Sequence, residues 1–374
     1  MPVPARSLTR PALVSLLLVT ALLTGCTAEP GASAPSSSSS SSSAPPPPER
    51  TGTLVLPVVP VGGDLPTGRQ TRRGAIADVD HIAATAAGGI RLTADVRWLC
   101  DTKTCTTAPL DPVVARARRL GLRVYLQVNS TPSWLDERGR WYGPVGDDAL
   151  VWAGLFAQLV AHFGTTIAGY EVWNEPDLPD FWQQGPDPSE YADLLRAVWT
   201  AVQRVQPDAV LIGAVLSNND LGYMRRLDQA LAARGGTPEN GFFYDLLGVH
   251  PYAGGSGYGL DPASPAGSVT TRTRFGVKDM TFLGIDTLRR QVSQDEGIDR
   301  DVFVGEFGYD TVEGGWYHVA EPERATFLRT ALELAGSRPW ITAFVPYRYI
   351  RDPSDGFAIR GTASEAVLDG AGDD

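Results

Sequence analysis

Two glutamates stand where short apolar runs give out. One closes Tyr170-Glu171-Val172-Trp173-Asn174-Glu175-Pro176-Asp177, the other falls within Val302-Phe303-Val304-Gly305-Glu306-Phe307-Gly308-Tyr309. The proline after Glu175 stops further strand pairing, which turns that carboxylate toward the end of the sheet. Glu306 follows an almost wholly apolar stretch, where an unpaired charge would be costly to bury. The bland alternatives are a turn built by Asn174, Pro176 and Asp177, and an ion pair between Glu306 and an arginine. As a pair, the two residues suit a different chemistry. One carboxylic acid can protonate a leaving oxygen while a carboxylate about 5 Å away attacks the anomeric carbon of a glycoside, so that configuration is retained.

Such a pair needs a scaffold that brings two distant strand ends to one mouth. From Leu54 onward, short β-branched or apolar runs alternate with longer amphipathic stretches, the pattern of repeated β-α units around a parallel sheet. Strands are expected near 54–59, 90–96, 123–128, 169–173, 210–215, 246–250, 302–305 and 341–345. Helices are expected at 76–87, 112–120, 148–163, 189–205, 221–233, 280–292 and 323–335. Asp187-Pro188-Ser189-Glu190 offers the fourth of these a capping acid, a proline at the first helical position and a glutamate in the first turn. Eight strands with helices between them predict an α/β fold, a closed (β/α)₈ TIM barrel over residues 51–374. The rival is an open doubly wound sheet, which usually carries a Gly-rich nucleotide loop after its first strand. Val59-Pro60-Val61-Gly62-Gly63 is not such a loop. In barrels the working residues sit at the C-terminal ends of strands, where Glu175 and Glu306 close the fourth and seventh.

Trp173-Asn174-Glu175-Pro176 and Gly305-Glu306-Phe307-Gly308 on those two strands resemble clan A of the glycoside hydrolases, retaining barrel enzymes that cleave β-glycosidic bonds. The resemblance covers residues 54–361. With Val128-Asn129-Ser130-Thr131-Pro132-Ser133-Trp134 it is most similar to the β-xylosidase-like family thirty-nine and the cellulase-like family five. It implies Glu175 as acid/base, Glu306 as nucleophile and Asn174 as partner of the sugar 2-hydroxyl. His250-Pro251-Tyr252 resembles the clan's His-x-Tyr, which implies that Tyr252 donates to Glu306. Arg97 resembles the clan's arginine near the nucleophile. The alternatives are a core histidine and a surface salt bridge. Strand eight departs from the pattern: where the clan commonly has a tryptophan under the sugar, this chain has Phe344-Val345-Pro346-Tyr347-Arg348-Tyr349, and Tyr347 or Tyr349 would serve as the platform. No metal or organic cofactor is needed for this chemistry.

Aromatic residues are dense in the segments expected at the top of the barrel: Trp98, Trp134, Trp141, Tyr142, Phe181, Trp182, Tyr258, Trp316 and Tyr317. Sugars present apolar faces that stack on such rings, although some of these must instead anchor loops. Trp98, Trp134, Trp182, Trp316 and Tyr349 are the candidate sugar contacts. The Gly/Ser/Thr-rich stretch 253–278 has the length of a lid or binding element. A net charge of −11, with no basic cluster, argues against a nucleic-acid partner and leaves an oligo- or polysaccharide. Two other readings use the same residues: a carbohydrate-binding protein on an inactive barrel, and a transglycosylase.

The first 26 residues read as an address. Arg6 and Arg10 precede an apolar run at 13–23, and Leu23-Thr24-Gly25-Cys26 resembles the bacterial lipobox, whose cysteine is lipidated. The resemblance implies a lipoprotein signal peptide at 1–26 and an extracytoplasmic protein held on the bacterial cell membrane through Cys26. The alternative is an ordinary cleaved signal peptide. Residues 27–50 collapse to Ser, Pro, Ala and Gly, with an unbroken serine run at 36–43, and read as a disordered tether reaching about 25 Å. In an oxidising compartment Cys100 and Cys105, with four residues between them in a polar loop, are expected to form a local disulfide; a metal site is the weaker alternative.

Overall fold

The computed structural model describes residues 54–55, 58–59, 72–352 and 354–370. The expected leader, Cys26 and the tether lie outside the described residues. The strands are β1 (Leu54–Val55), β2 (Val58–Val59), β3 (Gly89–Asp95), β4 (Arg123–Asn129), β5 (Gly169–Val172), β6 (Leu211–Ser217), β7 (Asn219–Asp220), β8 (Leu246–His250), β9 (Gly254–Gly255), β10 (Tyr258–Gly259), β11 (Thr270–Thr273), β12 (Gly276–Asp279), β13 (Val302–Phe307) and β14 (Ile341–Pro346). Nine of them form one sheet in the order β1-β14-β13-β8-β6-β5-β4-β3-β2. The expected first strand is split. Leu54 pairs in parallel with Ala343, while Val58 pairs in parallel with Arg91. One short stretch of chain thus joins both ends of the sheet and closes the barrel. The other expected strands are present with bounds shifted by a few residues.

Alternation of side chains along these strands sorts the core into two parts. Ile90, Leu92, Val124, Leu126, Val128, Tyr170 and Val172 face outward and pack into the large core shared with the helices. Tyr125, Ile212, Val215, Phe303, Ala343 and Val345 face inward and form a separate apolar plug. On β3 and β4 the same inward face carries Arg91, Thr93, Asp95, Gln127 and Asn129, so the barrel interior becomes polar toward its C-terminal mouth. The in-register pairs Arg91↔Tyr125 and Gln127↔Glu171 place this polar layer across β3, β4 and β5.

The helices are α1 (Arg72–Ile82), α2 (Val96–Leu99), α3 (Asp111–Arg119), α4 (Asp147–Phe163), α5 (Pro188–Val202), α6 (Leu221–Ala233), α7 (Gly284–Glu296) and α8 (Glu321–Gly336). Asp187 caps α5 by accepting from the Ser189 and Glu190 amides. Glu190, the expected return half of a capping box, instead accepts from Trp182 Nε1 at 2.9 Å. The stretch 253–278 is not an irregular loop. It folds into a small β9–β10 hairpin and a β11–β12 hairpin, whose second strand pairs antiparallel with β7.

Between α6 and α7 lies a carboxyl that this packing leaves without a partner. Asp228 is buried, neither oxygen has a hydrogen bond, and burial, with Glu296 beside it, pushes its pKa up to about 9. The folded chain therefore holds a proton there that the unfolded chain releases near pH 4. Stability should fall as pH rises through that window. Urea unfolding of Asp228→Asn at pH 5 and pH 8 should show a loss smaller than the native chain's by about 1 kcal/mol or more, since one pKa unit corresponds to about 1.4 kcal/mol. Equal losses would mean that Asp228 titrates normally.

Candidate active site

Trp173 fixes the end of β5. Its indole is fully buried among Trp141, Trp152 and Trp182, with the closest ring centroid 5.6 Å away, and its Nε1 donates to the Phe181 carbonyl. The backbone around it leaves the strand conformation. Trp173 has φ +74° and Glu175 has φ +41°, both left-handed, and the Glu175 amide donates to Val215 O at 3.0 Å. Left-handed backbone at non-glycine residues costs of order 1–3 kcal/mol, held here by the buried ring and the neighbouring strand. The result is that Glu175 projects into the mouth.

Glu306 meets it from β13. Arg91 Nη1 donates to its Oε1 at 2.9 Å, and Tyr252 Oη donates to its Oε2 at 2.9 Å. His250 Nδ1 lies 2.8 Å from Glu175 Oε1 and 3.8 Å from Glu306 Oε2. One ligand-type atom from each of Glu175, His250 and Glu306 lies within 4.8 Å of the others. That geometry would also admit a cation, but both Glu306 oxygens already accept hydrogen bonds and Arg91 supplies positive charge beside them. Gly305 makes room for the histidine: a Cβ there would sit 2.7 Å from His250 Nε2.

The two carboxyls are driven apart electrostatically. Burial raises the pKa of Glu175, Glu306 and Asp177 add to the rise, and the hydrogen bond from His250 only partly offsets it. Burial acts the same way on Glu306, yet His250, Arg91 and Tyr252 outweigh it and hold its pKa down. His250 is itself shifted upward: burial disfavours its charge, but Glu306 and Glu175 favour it more. Between the ordinary carboxylate value and the shifted value of Glu175, one group is ionised and its neighbour protonated. Such separation of paired titrating groups assigns base and acid roles within a site.

Arg91, not Arg97, is the arginine of this site. Arg97 is the second residue of α2, where its backbone amide donates to Asp95 and Ser130, and it has no bond to Glu306. Arg91 is buried, fixed by two bonds to Glu171 at 2.5 and 2.6 Å. Its own burial penalty is outweighed by Glu171 and Glu306, which raise its pKa further. Asn174 Oδ1 accepts from Gln127 Nε2 at 2.5 Å, which orients its amide beside Glu175.

Both carboxylates line a cleft of about 740 Å³, with Tyr252, Tyr258, Phe181, Trp316, Tyr317, Tyr347 and Phe357 in its walls. Of the two strand-eight tyrosines, Tyr347 lines the cleft, with ring contacts to Tyr252 and Phe357. Tyr349, past the end of β14, is buried away from the cleft and donates to Glu365 at 2.6 Å. Trp182 is fully buried and packs on Gly143, where a Cβ would meet its ring at 2.4 Å. Trp134 donates through Nε1 to the Cys100 carbonyl at 2.8 Å and braces the loop closed by the Cys100–Cys105 disulfide. Trp98 is exposed on α2 and is not among the cleft-lining residues. Of the five aromatic contacts expected from sequence, Trp316 alone reaches the cleft.

An ion pair absent from the sequence reading ties the Glu175 loop to the β11–β12 hairpin. Lys278 Nζ donates to Asp177 Oδ2 at 2.6 Å, and Asp177 Oδ1 accepts from the Ser217 amide at 2.9 Å. Lys278 and Asp177 are both buried. Removing one partner of a buried pair typically costs 3–5 kcal/mol. Lys278→Met should therefore lower urea stability by about that order. Uncompensated Asp177 should also push the pKa of Glu175 higher, because its charge already acts in that direction. Asp177→Asn in the same chain should reverse the second effect; a pH profile unmoved by Lys278→Met would show that the pair does not act on Glu175.

No protein-family model and no curated protein matches this sequence. Solved structures do match its fold. A family 39 glycoside hydrolase from the gut symbiont Bacteroides cellulosilyticus WH2 aligns with a TM-score of 0.58 at 17% identity, over 85% of this chain and 64% of that one. The chain thus spans just under two thirds of that protein. GH5_18 from Streptomyces cattleya, in complex with GlcNAc, aligns with a TM-score of 0.58 at 15% identity, over 86% and 80% of the two chains. A monomeric β-xylosidase from Caulobacter crescentus CB15 gives 0.58 at 15% identity, over 85% and 68%. The chain shares the α/β-barrel fold of these structures.

Proposed function

We propose that this chain is a retaining glycoside hydrolase that cleaves β-glycosidic bonds in oligo- or polysaccharides, with Glu175 as acid/base and Glu306 as nucleophile. The supporting observation is the pair itself: two carboxyls from the ends of β5 and β13, with pKa values moved in opposite directions, in one cleft. In the first step protonated Glu175 gives its proton to the glycosidic oxygen as Glu306 attacks the anomeric carbon, and the C–O bond to the leaving sugar breaks. In the second, Glu175 takes a proton from water as that water displaces Glu306 from the sugar. In this reading Asn174, oriented by Gln127, would bond the sugar 2-hydroxyl, and Tyr347, which lines the cleft, would serve as the strand-eight platform.

The same reading places the protein outside the cytoplasm, held on the membrane by a lipid on Cys26, because Leu23-Thr24-Gly25-Cys26 follows a basic and then an apolar segment. Mass spectrometry of the membrane fraction tests this: a diacylglyceryl-modified Cys26 supports the anchor, and a soluble chain cut at another site contradicts it. The activity is tested with a panel of aryl β-glycosides. Release of aryl alcohol by the native chain, lost in Glu306→Gln, is expected; equal release by both would sink the assignment.

A further inference from the structure

Among the described residues, few large apolar side chains are exposed, and two of them, Trp316 at 58% and Tyr258 at 45%, stand in the wall of the cleft that holds Glu175 and Glu306. They come from different loops that the backbone joins. Ser256 bridges Trp316 in antiparallel fashion, and three bonds, Gly257 N to Gly315 O, Tyr317 N to Gly255 O and Gly259 N to His318 O, at 2.7–2.8 Å, continue the seam. The Tyr258 ring lies across Gly255, where a Cβ would come within 3.1 Å of it. These rings are therefore carried on a hydrogen-bonded seam, which an incidental exposed aromatic on a loop tip would lack.

The platform is also continuous with the reacting centre. Trp316 lies 5.9 Å from the Tyr317 ring, Tyr317 stacks on Tyr252 at 4.8 Å and 8°, and Tyr252 bonds Glu306. Two ring contacts separate Trp316 from the nucleophile, so a sugar on Trp316 is a different one from the sugar whose anomeric carbon Glu306 would attack. The charges of the wall select among glycans. The charged lining residues are Glu175, Asp180, Glu306 and Lys278. The sole cation of that set is buried and bound by Asp177, so the wall offers a carboxylate or sulfate group no free cation, while Asp180 and Glu306 add negative charge to it. Thr270, Thr271 and Thr273 supply neutral hydroxyl groups instead.

We infer that Trp316 and Tyr258 form a second sugar site, which takes another residue of a neutral β-linked glycan and rejects uronate-bearing chains. This deepens the hydrolase reading and rests on it for where the cut falls, but binding can be measured without turnover. Calorimetry on the full chain carrying Glu306→Gln would use β-1,4-linked gluco-, manno- and xylotetraose, with tetramannuronate as the acidic probe. The expected result is that at least one neutral tetraose binds, that it binds at least tenfold more tightly than tetramannuronate, that Trp316→Ala weakens it tenfold or more, and that Trp316→Phe recovers most of the loss. The proposal is overturned if Trp316→Ala leaves every affinity unchanged, if tetramannuronate binds as well as the neutral sugars, or if no tetraose binds. Trp316-dependent binding by the Glu306→Gln chain, when the native chain turns over none of these glycans, would sink the hydrolase reading and leave this site standing.

Discussion

Replacing Glu306 by glutamine should lower turnover of an aryl β-glycoside by about 10⁴-fold or more, the scale seen when a covalent nucleophile is removed. The amide keeps the shape of the carboxyl: its oxygen can still accept from Arg91 and its NH2 can donate to the Tyr252 hydroxyl, so unfolding is not the expected cause. It removes the electron pair that would attack the anomeric carbon. Two further charges would be left badly matched, since Arg91 faces Glu306 at 2.9 Å and His250 lies 3.8 Å away. Circular dichroism should stay native while activity is lost. A residual rate within tenfold of the native chain would mean that Glu306 is not the nucleophile.

For Glu175→Gln the expected loss depends on the leaving group. With an unactivated aryl or sugar leaving group the rate should fall about 10²–10⁴-fold, the usual contribution of a positioned proton donor. With a dinitrophenyl group, which leaves without help, formation of the glycosyl-enzyme should be nearly spared. The pH profile adds a second test. In the native chain the acid limb should follow ionisation of Glu306, whose pKa is held below the ordinary carboxylate value. The basic limb should follow loss of the proton from Glu175, whose pKa burial raises above that value. Activity is thus expected in a window that opens below the usual carboxylate range and closes above it. Glu175→Gln should delete the basic limb and leave the acid limb in place. A basic limb that survives would belong to another group.

Much of the barrel was legible in the sequence because apolar runs and amphipathic stretches report burial directly. The carboxylate positions were legible for a related reason, since a glutamate directly after a buried strand needs an explanation. What the sequence did not reveal depends on which face a side chain takes. Arg97 resembles the expected arginine because it stands at the end of β3, whereas alternation from Asp95 back through Thr93 puts Arg91 on the same inward face. A charged pair at inward positions, Arg91 on β3 and Glu171 on β5, was the available signal. Trp182 and Trp134 resembled sugar platforms because they sit in loops, but Gly143 admits one ring and the Cys100 carbonyl binds the other. Tyr347 and Tyr349 share a face by spacing alone, yet Tyr347 lines the cleft and Tyr349 is buried beside Glu365, a distinction set by the chain's turn after β14. The β11–β12 hairpin has the sequence of a long loop because its exposed threonines lack an apolar face; its pairing with β7 and the Lys278–Asp177 bond supply the order instead.

The central proposal is double displacement through Glu306 with Glu175 as the proton-handling partner, and azide trapping tests it most directly. Glu175→Ala, given an activated aryl β-glycoside and azide, should turn over faster than without azide and accumulate a β-glycosyl azide, identified by its anomeric proton in the NMR spectrum. An α-glycosyl azide, or no acceleration by azide from a chain whose native form hydrolyses the same substrate, would contradict it.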